Sequence, residues 1–387
     1  MDSVDVLIVG GGIVGGSLAG ALGRLGVSVS LLDPRENKGD TGMVSREHLV
    51  SNRVFTIRPS IRDFLRRTGI WDEILNSRIQ EVSRMEIYSK RGEPLVFDAY
   101  QAGFDQLATV VDYDALQGAI LETIENNAVR IDQGRFVGLD VKEDRVFVET
   151  TSGQVSCKLL VGADGAHSAV RQAANIGFSH HDYEFSGVVA SFSVNRTHSG
   201  VAYQKFVDQS VIAFLPLPLD RANLVWSLKN ELARELNEEN IIERVSALFN
   251  PLGLRSLETS VGKFPLSKLT SSTTCSKRIA LVGDSAHQFL PLAGQGLNVG
   301  LSDVQKLTEF IVSFGRGDPG SDAVLNRYRR ARREEVESFN LVTGAIHESL
   351  ISSQQTAELF TGTMLKLVNN CHLAKQFLVD RAAGYDF

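Results

Sequence analysis

The sequence has few cysteines and lacks long apolar runs and an excess of positive charge. Its three cysteines, Cys157, Cys275 and Cys371, lie far apart in 387 residues. This spacing predicts neither a disulfide framework nor a metal site. No apolar run approaches the roughly 20 residues that a membrane-spanning helix needs. The net charge of −6 does not favour a nucleic-acid partner.

The histidine pattern argues against a metal site, and the first residues argue against a targeting peptide. The eight histidines form no HExxH motif, and the adjacent pair His180-His181 is predicted to occupy a surface turn rather than a metal site. We therefore predict no metal. Residues 1–5 are acidic and lead directly into a strand pattern. No secretory or transit peptide is expected, and the predicted location is cytoplasmic.

The pattern at the start of the chain is strand, glycine turn, helix, strand and acid. The turn is a GxGxxG in which the first glycine allows a tight turn, the second lets the backbone approach a pyrophosphate, and the third lets the helix pack closely. The N-terminus of the helix offers N–H groups to phosphate, and the final acid is placed to bind an adenosine ribose. The candidate cofactor-binding residues of this unit are Gly10, Gly12, Ile13, Val14, Gly15 and Asp33.

Two later strand patterns also end in glycine turns with an acid. Leu159 to Val161 leads into Gly162-Ala163-Asp164-Gly165, and Ile279 to Val282 leads into Gly283-Asp284. Farther on, Gly294-Gln295-Gly296 begins a helix whose N–H groups would stabilise negative charge on a bound ring. Gly315, Gly317 and Gly320 also match GxGxxG, but they contain Pro319 and no strand precedes them, so we predict a loop.

Several segments support this organisation. Residues 34–52 form a long polar loop, and Arg53 after it is a candidate phosphate contact, with a surface charge as the alternative. Asp112 is a candidate helix cap. Residues 129–160 are predicted to form a β-meander, and residues 183–230 an antiparallel sheet with one covered face.

The C-terminal part is predicted to be helical. The helix over residues 321–350 carries five arginines, Arg327, Arg329, Arg330, Arg332 and Arg333. We interpret them as a solvated face paired at i,i+4, with contact to acidic lipid as the alternative. Farther on, Phe360, Met364, Val368 and Cys371 form a helical stripe that predicts core or subunit packing, with a lipid anchor as the alternative, so a homo-oligomer is one expectation.

Together the three glycine regions resemble those of the group A flavoprotein monooxygenases, which have the para-hydroxybenzoate hydroxylase fold. The segment Leu292 to Asp303 and the strands Phe214-Leu215-Pro216-Leu217 and Leu224-Val225-Trp226-Ser227 are most similar to the ubiquinone-biosynthesis hydroxylases. Two departures are Asp33, where glutamate is commoner, and Leu290-Pro291, where many members have His-Pro.

The resemblance implies a mixed α/β fold, a Rossmann-like FAD-binding domain with an inserted antiparallel sheet. The implied FAD-binding domain is discontinuous, over residues 1–80, 105–180 and 276–315. The implied substrate domain covers residues 81–104 and 181–275, and a helical region covers 316–387.

The resemblance also implies the roles of individual residues. Asp33 would bind the adenosine ribose, Arg53 would lie near the pyrophosphate and flavin, and Asp164 and Asp284 would organise the pyrophosphate and ribityl parts of FAD. The implied flavin-lining residues are Pro291, Gly294, Gln295, Gly296, Leu297 and Asn298. No side chain is identified as catalytic. The candidate substrate-pocket residues are Phe214, Leu215 and Trp226, for which ordinary sheet core is the alternative.

The implied activity is hydroxylation of a polyprenylated phenol by FAD and O₂ through a flavin C4a-hydroperoxide. Because the sequence has no second credible dinucleotide fold, NAD(P)H would bind transiently, or a donor such as reduced ferredoxin would supply electrons. The alternatives are a hydroxylase of a small soluble aromatic compound and a non-catalytic flavin-binding subunit. Other ubiquinone-biosynthesis proteins are expected partners, and the greasy substrate suggests peripheral contact with the inner membrane.

Overall fold

The computed structural model describes residues 2–35, 52–89, 93–207, 210–289, 296–315, 317–351 and 383–384, and within the last long helix it describes side chains as far as Phe339. The strands are β1 (Asp2–Val9), β2 (Val29–Asp33), β3 (Val54–Ile57), β4 (Ile79–Val82), β5 (Arg84–Tyr88), β6 (Leu95–Asp98), β7 (Ala108–Asp112), β8 (Arg130–Gln133), β9 (Phe136–Val141), β10 (Val146–Thr150), β11 (Gly153–Gly162), β12 (Phe178–Val194), β13 (Val201–Val207), β14 (Ser210–Leu217), β15 (Arg221–Lys229), β16 (Leu254–Leu257), β17 (Gly262–Ser271), β18 (Cys275–Ser276), β19 (Ile279–Leu281) and β20 (His287–Gln288). The helices are α1 (Ile13–Arg24), α2 (Pro59–Arg67), α3 (Tyr113–Asn126), α4 (Ala169–Ala173), α5 (Asn230–Glu235), α6 (Ile241–Leu248), α7 (Gly296–Ser313) and α8 (Asp322–Ile351), with short 3-10 helices at Trp71–Glu73, Asn76–Arg78 and Gly283–Ser285. This mixed α/β architecture confirms the predicted fold class.

The first sheet has the order β18-β19-β11-β1-β2-β8, and the β9–β10 hairpin extends from β11. Its centre is parallel and buried on both faces, which explains why the second half of β1, Val6 to Val9, is continuously apolar. Val6 and Ile8 pack with the helices on one face, while Leu7 and Val9 pack with the hairpin on the other. Strand β8 pairs in parallel with β2, so the predicted meander over 129–160 was wrong at its start and holds for β9 to β11 alone.

The second sheet, β20-β17-β12-β15-β14-β13-β5-β6, is antiparallel except where β13 meets β5, and it confirms the sheet predicted over 183–230. One face is covered by α5 and α6. On the other face, β14 packs against the small sheet β3-β7-β4. His180 and His181 lie exposed within β12, so the predicted surface turn was wrong. From the sequence alone, an exposed polar segment of a strand is hard to distinguish from a turn.

The C-terminal helix and the second GxGxxG follow expectation. Helix α8 matches the helix predicted over 321–350. Gly315, Gly317 and Gly320 lie in turns between α7 and α8. No helix in the described part of the chain is long and apolar enough to cross a membrane. The stripe Phe360 to Cys371 and most of the loop over 34–52 lie outside the described residues, and the domain boundaries stay a prediction.

Candidate cofactor site

Four neighbouring parallel strands end together at one edge of the first sheet. Val9 of β1 is level with Gly162 of β11 and with Leu32 of β2, and Gly162 is level with Leu281 of β19. Adjacent strands lie about 4.8 Å apart. The turns predicted to bind a cofactor therefore lie side by side, although the chain separates the first from the last by more than 270 residues.

The glycines of the first turn differ in what surrounds them. Gly10 has a φ of +106°, and its amide donates to Leu32 O at 2.9 Å. A Cβ at Gly15 would lie 2.0 Å from Gly10 O and 2.9 Å from Ala163 Cβ. A Cβ at Gly12 would have no described heavy atom within 4 Å. The first and third glycines are thus required by packing, whereas the second leaves the backbone open to an approaching ligand.

Asp33 ties the end of β2 to the glycine turn. Its Oδ2 accepts a hydrogen bond from the Gly11 amide at 2.5 Å, and Arg35 donates from its backbone at 2.9 Å and from Nε and Nη2 at 2.8 and 2.7 Å. Burial pushes the pKa of Asp33 up, but these hydrogen bonds outweigh it and hold the pKa below its usual value. The residue is an ionised acceptor at neutral pH.

The second turn is organised by Asp164 and Arg171. Asp164 Oδ2 accepts from the amides of Ala169 and Val170, the first two residues of α4, at 2.7 and 3.1 Å. Its Oδ1 is buried and has no hydrogen-bond partner among the described residues. Arg171 is buried and donates to Ala166 O at 2.7 Å and to Ser285 O at 2.8 Å, which joins this turn to the third.

The third turn places Asp284 near Arg53. Gly283 has a φ of +61°, and Asp284 follows it with its side chain open to solvent at the edge of the sheet. Although the Asp284 side chain is accessible to solvent, the protein packed around it limits its hydration and raises its pKa, while the charges of His287 and Arg53 act to lower it. The guanidinium of Arg53 lies 5.0 Å from the ring centroid of Tyr113 and 5.3 Å from that of Phe55, so cation–π contacts hold it in place.

The start of α7 completes the edge. Gly296 and Leu297 form its first turn, and a Cβ at Gly296 would have no described heavy atom within 4 Å. The fully buried side chain of Asn298 accepts from the Arg58 amide at 3.0 Å and donates to Thr56 O at 2.7 Å. It therefore fastens α7 to the end of β3. Pro291, Gly294 and Gln295 lie outside the described residues.

The three candidate pocket residues lie on two faces of the second sheet. Phe214 is fully buried and Trp226 is 5% exposed, and both pack in the cluster beneath α5 and α6. This is the ordinary sheet core given above as their alternative. Leu215 lies on the opposite face with Val82 and Val110 of the small sheet.

Sequence reasoning missed one structural feature next to the site, a buried ionic cluster behind the third turn. It consists of Asp303, Arg332, Glu335 and Arg58. Arg332 is completely buried, so its assignment to a solvated face was wrong. The i,i+4 pairing is correct for Arg333, which contacts Glu337 at 2.8 Å. The sequence offered one signal for this cluster: Asp303 is the last residue of the Leu292–Asp303 segment, which is similar to the ubiquinone-biosynthesis hydroxylases.

Comparison with known proteins identifies the family. The FAD binding domain family matches residues 3–340, which is most of the chain. The chain belongs to the FAD-dependent monooxygenases. This monooxygenase is 32% identical over 363 residues to the ubiquinone hydroxylase UbiL of Rhodospirillum rubrum, covering 90% of this chain and 81% of that protein.

A second relative supports this assignment, and a solved structure shares the fold. The 3-demethoxyubiquinol 3-hydroxylase of Escherichia coli K12 is 30% identical to the monooxygenase over 350 residues and 88% of both chains. Within the family, the chain therefore groups with the ubiquinone-biosynthesis hydroxylases. The crystal structure of p-nitrophenol 4-monooxygenase PnpA from Pseudomonas putida DLL-E4 superposes with a TM-score of 0.80 at 20% identity, covering all of both chains, which shows the shared fold.

The residues present in the monooxygenase fit its FAD cofactor. The open backbone at Gly12 lies at the N-terminus of α1, where amide groups and the helix dipole favour a pyrophosphate. The unpartnered Oδ1 of Asp164 lies on the adjacent turn. Buried polar atoms normally have partners, so this oxygen is available to a ligand group or an ordered water at the same edge.

Proposed function

We propose that this monooxygenase hydroxylates the aromatic ring of a polyprenylated phenol in ubiquinone biosynthesis. The observation that carries the proposal is identity of 30% or more, over nearly the whole chain, to two proteins named as ubiquinone-pathway hydroxylases. The site is compatible with this chemistry because it combines an open dinucleotide cradle with a separate sheet that can hold a second molecule.

On this proposal, the cofactor lies along the edge formed by the four strand ends. The backbone at Gly12 and the first residues of α1, Ile13 and Val14, face the pyrophosphate, and Asp33 accepts from the adenosine ribose. Arg53 and Asp284 lie at the phosphate and ribityl part, beside Asp164. When bound and reduced, FAD supplies the electrons that activate O₂ for transfer of one oxygen atom to the ring.

The first turn of α7 would then face the flavin ring. Gly296 and Leu297 offer backbone amides without a crowding side chain at Gly296. Asn298 contributes its backbone alone, because its side chain is committed to Arg58 and Thr56. The positive end of the α7 dipole stabilises negative charge that develops on the ring.

The substrate would lie on the face of the second sheet opposite α5 and α6, beside the part of that face that packs against the small sheet β3-β7-β4. This face carries Leu215, and next to it Asn223 donates from Nδ2 to Asn52 O at 3.2 Å. That hydrogen bond joins the sheet to the segment that leads into Arg53. The apolar Leu215 and the polar Asn223 of this face suit a phenol ring that must be oriented and shielded from water.

The proposal also covers the electron donor of the flavin and the location of the protein in the cell. NAD(P)H binding transiently, or reduced ferredoxin, would reduce the flavin. We expect a cytoplasmic protein attached peripherally to the inner membrane, in contact with other ubiquinone-biosynthesis proteins. Fractionation of cells with and without high salt would test this, since recovery entirely in the low-salt soluble fraction contradicts attachment.

A deletion strain tests the reaction itself. We expect loss of the quinone and accumulation of a prenylphenol that lacks one ring hydroxyl, with recovery when the wild-type gene is returned. Asp284→Asn should not restore the quinone, whereas Asp114→Asn, which alters an exposed residue of α3, should do so. Normal quinone levels in the deletion strain would exclude the ubiquinone assignment.

Purified protein separates the remaining alternatives. A hydroxylase of small soluble aromatics would oxidise NAD(P)H rapidly with a water-soluble phenol, whereas the proposed enzyme should respond to the prenylphenol. If the protein is a non-catalytic flavin-binding subunit, its Asp284→Asn variant should still restore quinone levels in the deletion strain.

A further inference from the structure

A fully buried ion pair lies directly behind the third turn of the cofactor site. Asp303 of α7 and Arg332 of α8 are both completely buried, and Arg332 Nε donates to Asp303 Oδ1 at 2.5 Å. The other oxygen, Oδ2, accepts from the Gly283 amide at 2.8 Å and lies 2.9 Å from His287 Nε2. One carboxylate thus connects the C-terminal helix to the backbone immediately before Asp284.

Arg332 has a second backbone contact at the other end of the site. Its Nη2 donates to Val299 O at 3.2 Å, within the first turns of α7. Nη1 contacts Glu335, which also pairs with Arg58 Nη2 at 3.1 Å. Since the amide of Arg58 donates to Asn298, the cluster reaches both the third turn and the start of α7.

Stability alone does not explain this arrangement. Burying two charges costs desolvation free energy, and well-packed apolar residues in place of a buried ion pair are often as stable or more stable. Burial raises the pKa of Asp303, but the charges of His287 and Arg332 and the hydrogen bonds it accepts outweigh this and lower the pKa. The pair instead reaches the backbone of the two segments predicted to hold FAD, because Asp303 Oδ2 accepts from the Gly283 amide and Arg332 Nη2 donates to Val299 O.

We propose that Asp303 and Arg332 are positioning residues for FAD. Asp303 fixes the Gly283 amide, which sets the conformation of the turn that presents Asp284, and Arg332 holds the carboxylate in place and fixes Val299 at the start of α7. The C-terminal helix thereby contributes to flavin binding without contacting the flavin. The proposal depends on FAD binding and not on which phenol is hydroxylated.

Two double variants separate positioning from folding. Asp303→Leu/Arg332→Met and Asp303→Asn/Arg332→Met both remove the charges of the pair, so neither leaves one member buried and unpaired. They differ in that the asparagine side chain introduced by Asp303→Asn retains an acceptor for the Gly283 amide. We expect the asparagine variant to bind FAD about tenfold more tightly than the leucine variant, the size of one well-placed hydrogen bond.

The measurements are made on the full-length apo-protein. FAD affinity is measured by fluorescence titration, unfolding by urea, and exchange of the Gly283 amide by hydrogen–deuterium exchange. The leucine variant should show faster exchange at Gly283, and Arg333→Met should match wild type because Arg333 is exposed and pairs with Glu337. Equal FAD affinity of the two double variants, or wild-type affinity of the leucine variant, would overturn the proposal.

Discussion

Alanine substitutions at Gly15 and Gly12 should affect different properties: Gly15→Ala should mainly lower the free energy of unfolding, and Gly12→Ala should mainly weaken FAD binding. At Gly15 the new Cβ would lie 2.0 Å from Gly10 O, and neither group can rotate away because the carbonyl belongs to the backbone. Overpacking of this severity costs about 3 kcal/mol. The higher helix propensity of alanine returns about 1 kcal/mol, so the free energy of unfolding should fall by about 2 kcal/mol.

At Gly12 the main effect of alanine should be on FAD binding rather than on stability. Its φ of −67° suits alanine, and no described heavy atom lies within 4 Å of the new Cβ. The cost in folding is limited to the poorer N-cap, about 0.5 kcal/mol. The methyl group would occupy the space through which the pyrophosphate approaches the backbone. FAD should bind at least about tenfold more weakly, as for loss of a hydrogen bond to a charged group.

The assay is urea unfolding of the apo-protein beside FAD titration by fluorescence. Gly118→Ala is the matched control, because Gly118 lies in α3 with no described heavy atom within 4 Å of an added Cβ, and alanine there should raise stability by up to about 1 kcal/mol. FAD affinity of the control should match wild type. Wild-type FAD affinity in Gly12→Ala would refute the reasoning, as would losses of affinity that merely follow losses of stability.

Three further predictions concern single side chains. The folded-state pKa of Asp33 is held below its usual 3.8, so its contribution to stability is present above pH 3.8 and is lost as the pH falls through the folded pKa. Asp33→Asn should therefore reduce the acid-induced fall in the free energy of unfolding, measured with urea at several pH values. An unchanged dependence on pH would contradict this. Asp112 caps α3 at Ala115 N and pairs with Arg78, so Asp112→Ala should cost about 2 kcal/mol, whereas the exposed Asp114→Ala should cost little by the same unfolding measurement. Burial raises the pKa of the Cys157 and Cys275 thiols to about 12, so a Cys371→Ser variant should not react with a thiol reagent at pH 8 until denatured; rapid reaction of the native protein would show the thiols to be accessible.

The elements that meet at the cofactor edge follow from short stretches of sequence. A short β-branched run, a glycine turn and an acid are local signals, because sterics and backbone hydrogen bonding specify them within a few residues. This is why the positions of Asp33, Asp164 and Asp284 at or just after strand ends could be predicted from the pattern, while their roles towards FAD stay a prediction. The cap at Asp112 is confirmed, because its side chain accepts a hydrogen bond from the Ala115 amide.

The tertiary structure alone decided which side chains face one another. Arg332 lies in a basic run that resembles a solvated face, and its partner Asp303 is 29 residues away on another helix. Strand alternation separated Leu215 from Phe214, but the position of α6 determined which face became core. Periodicity specifies faces within an element, whereas the partner of each face depends on packing between elements that are distant in the chain.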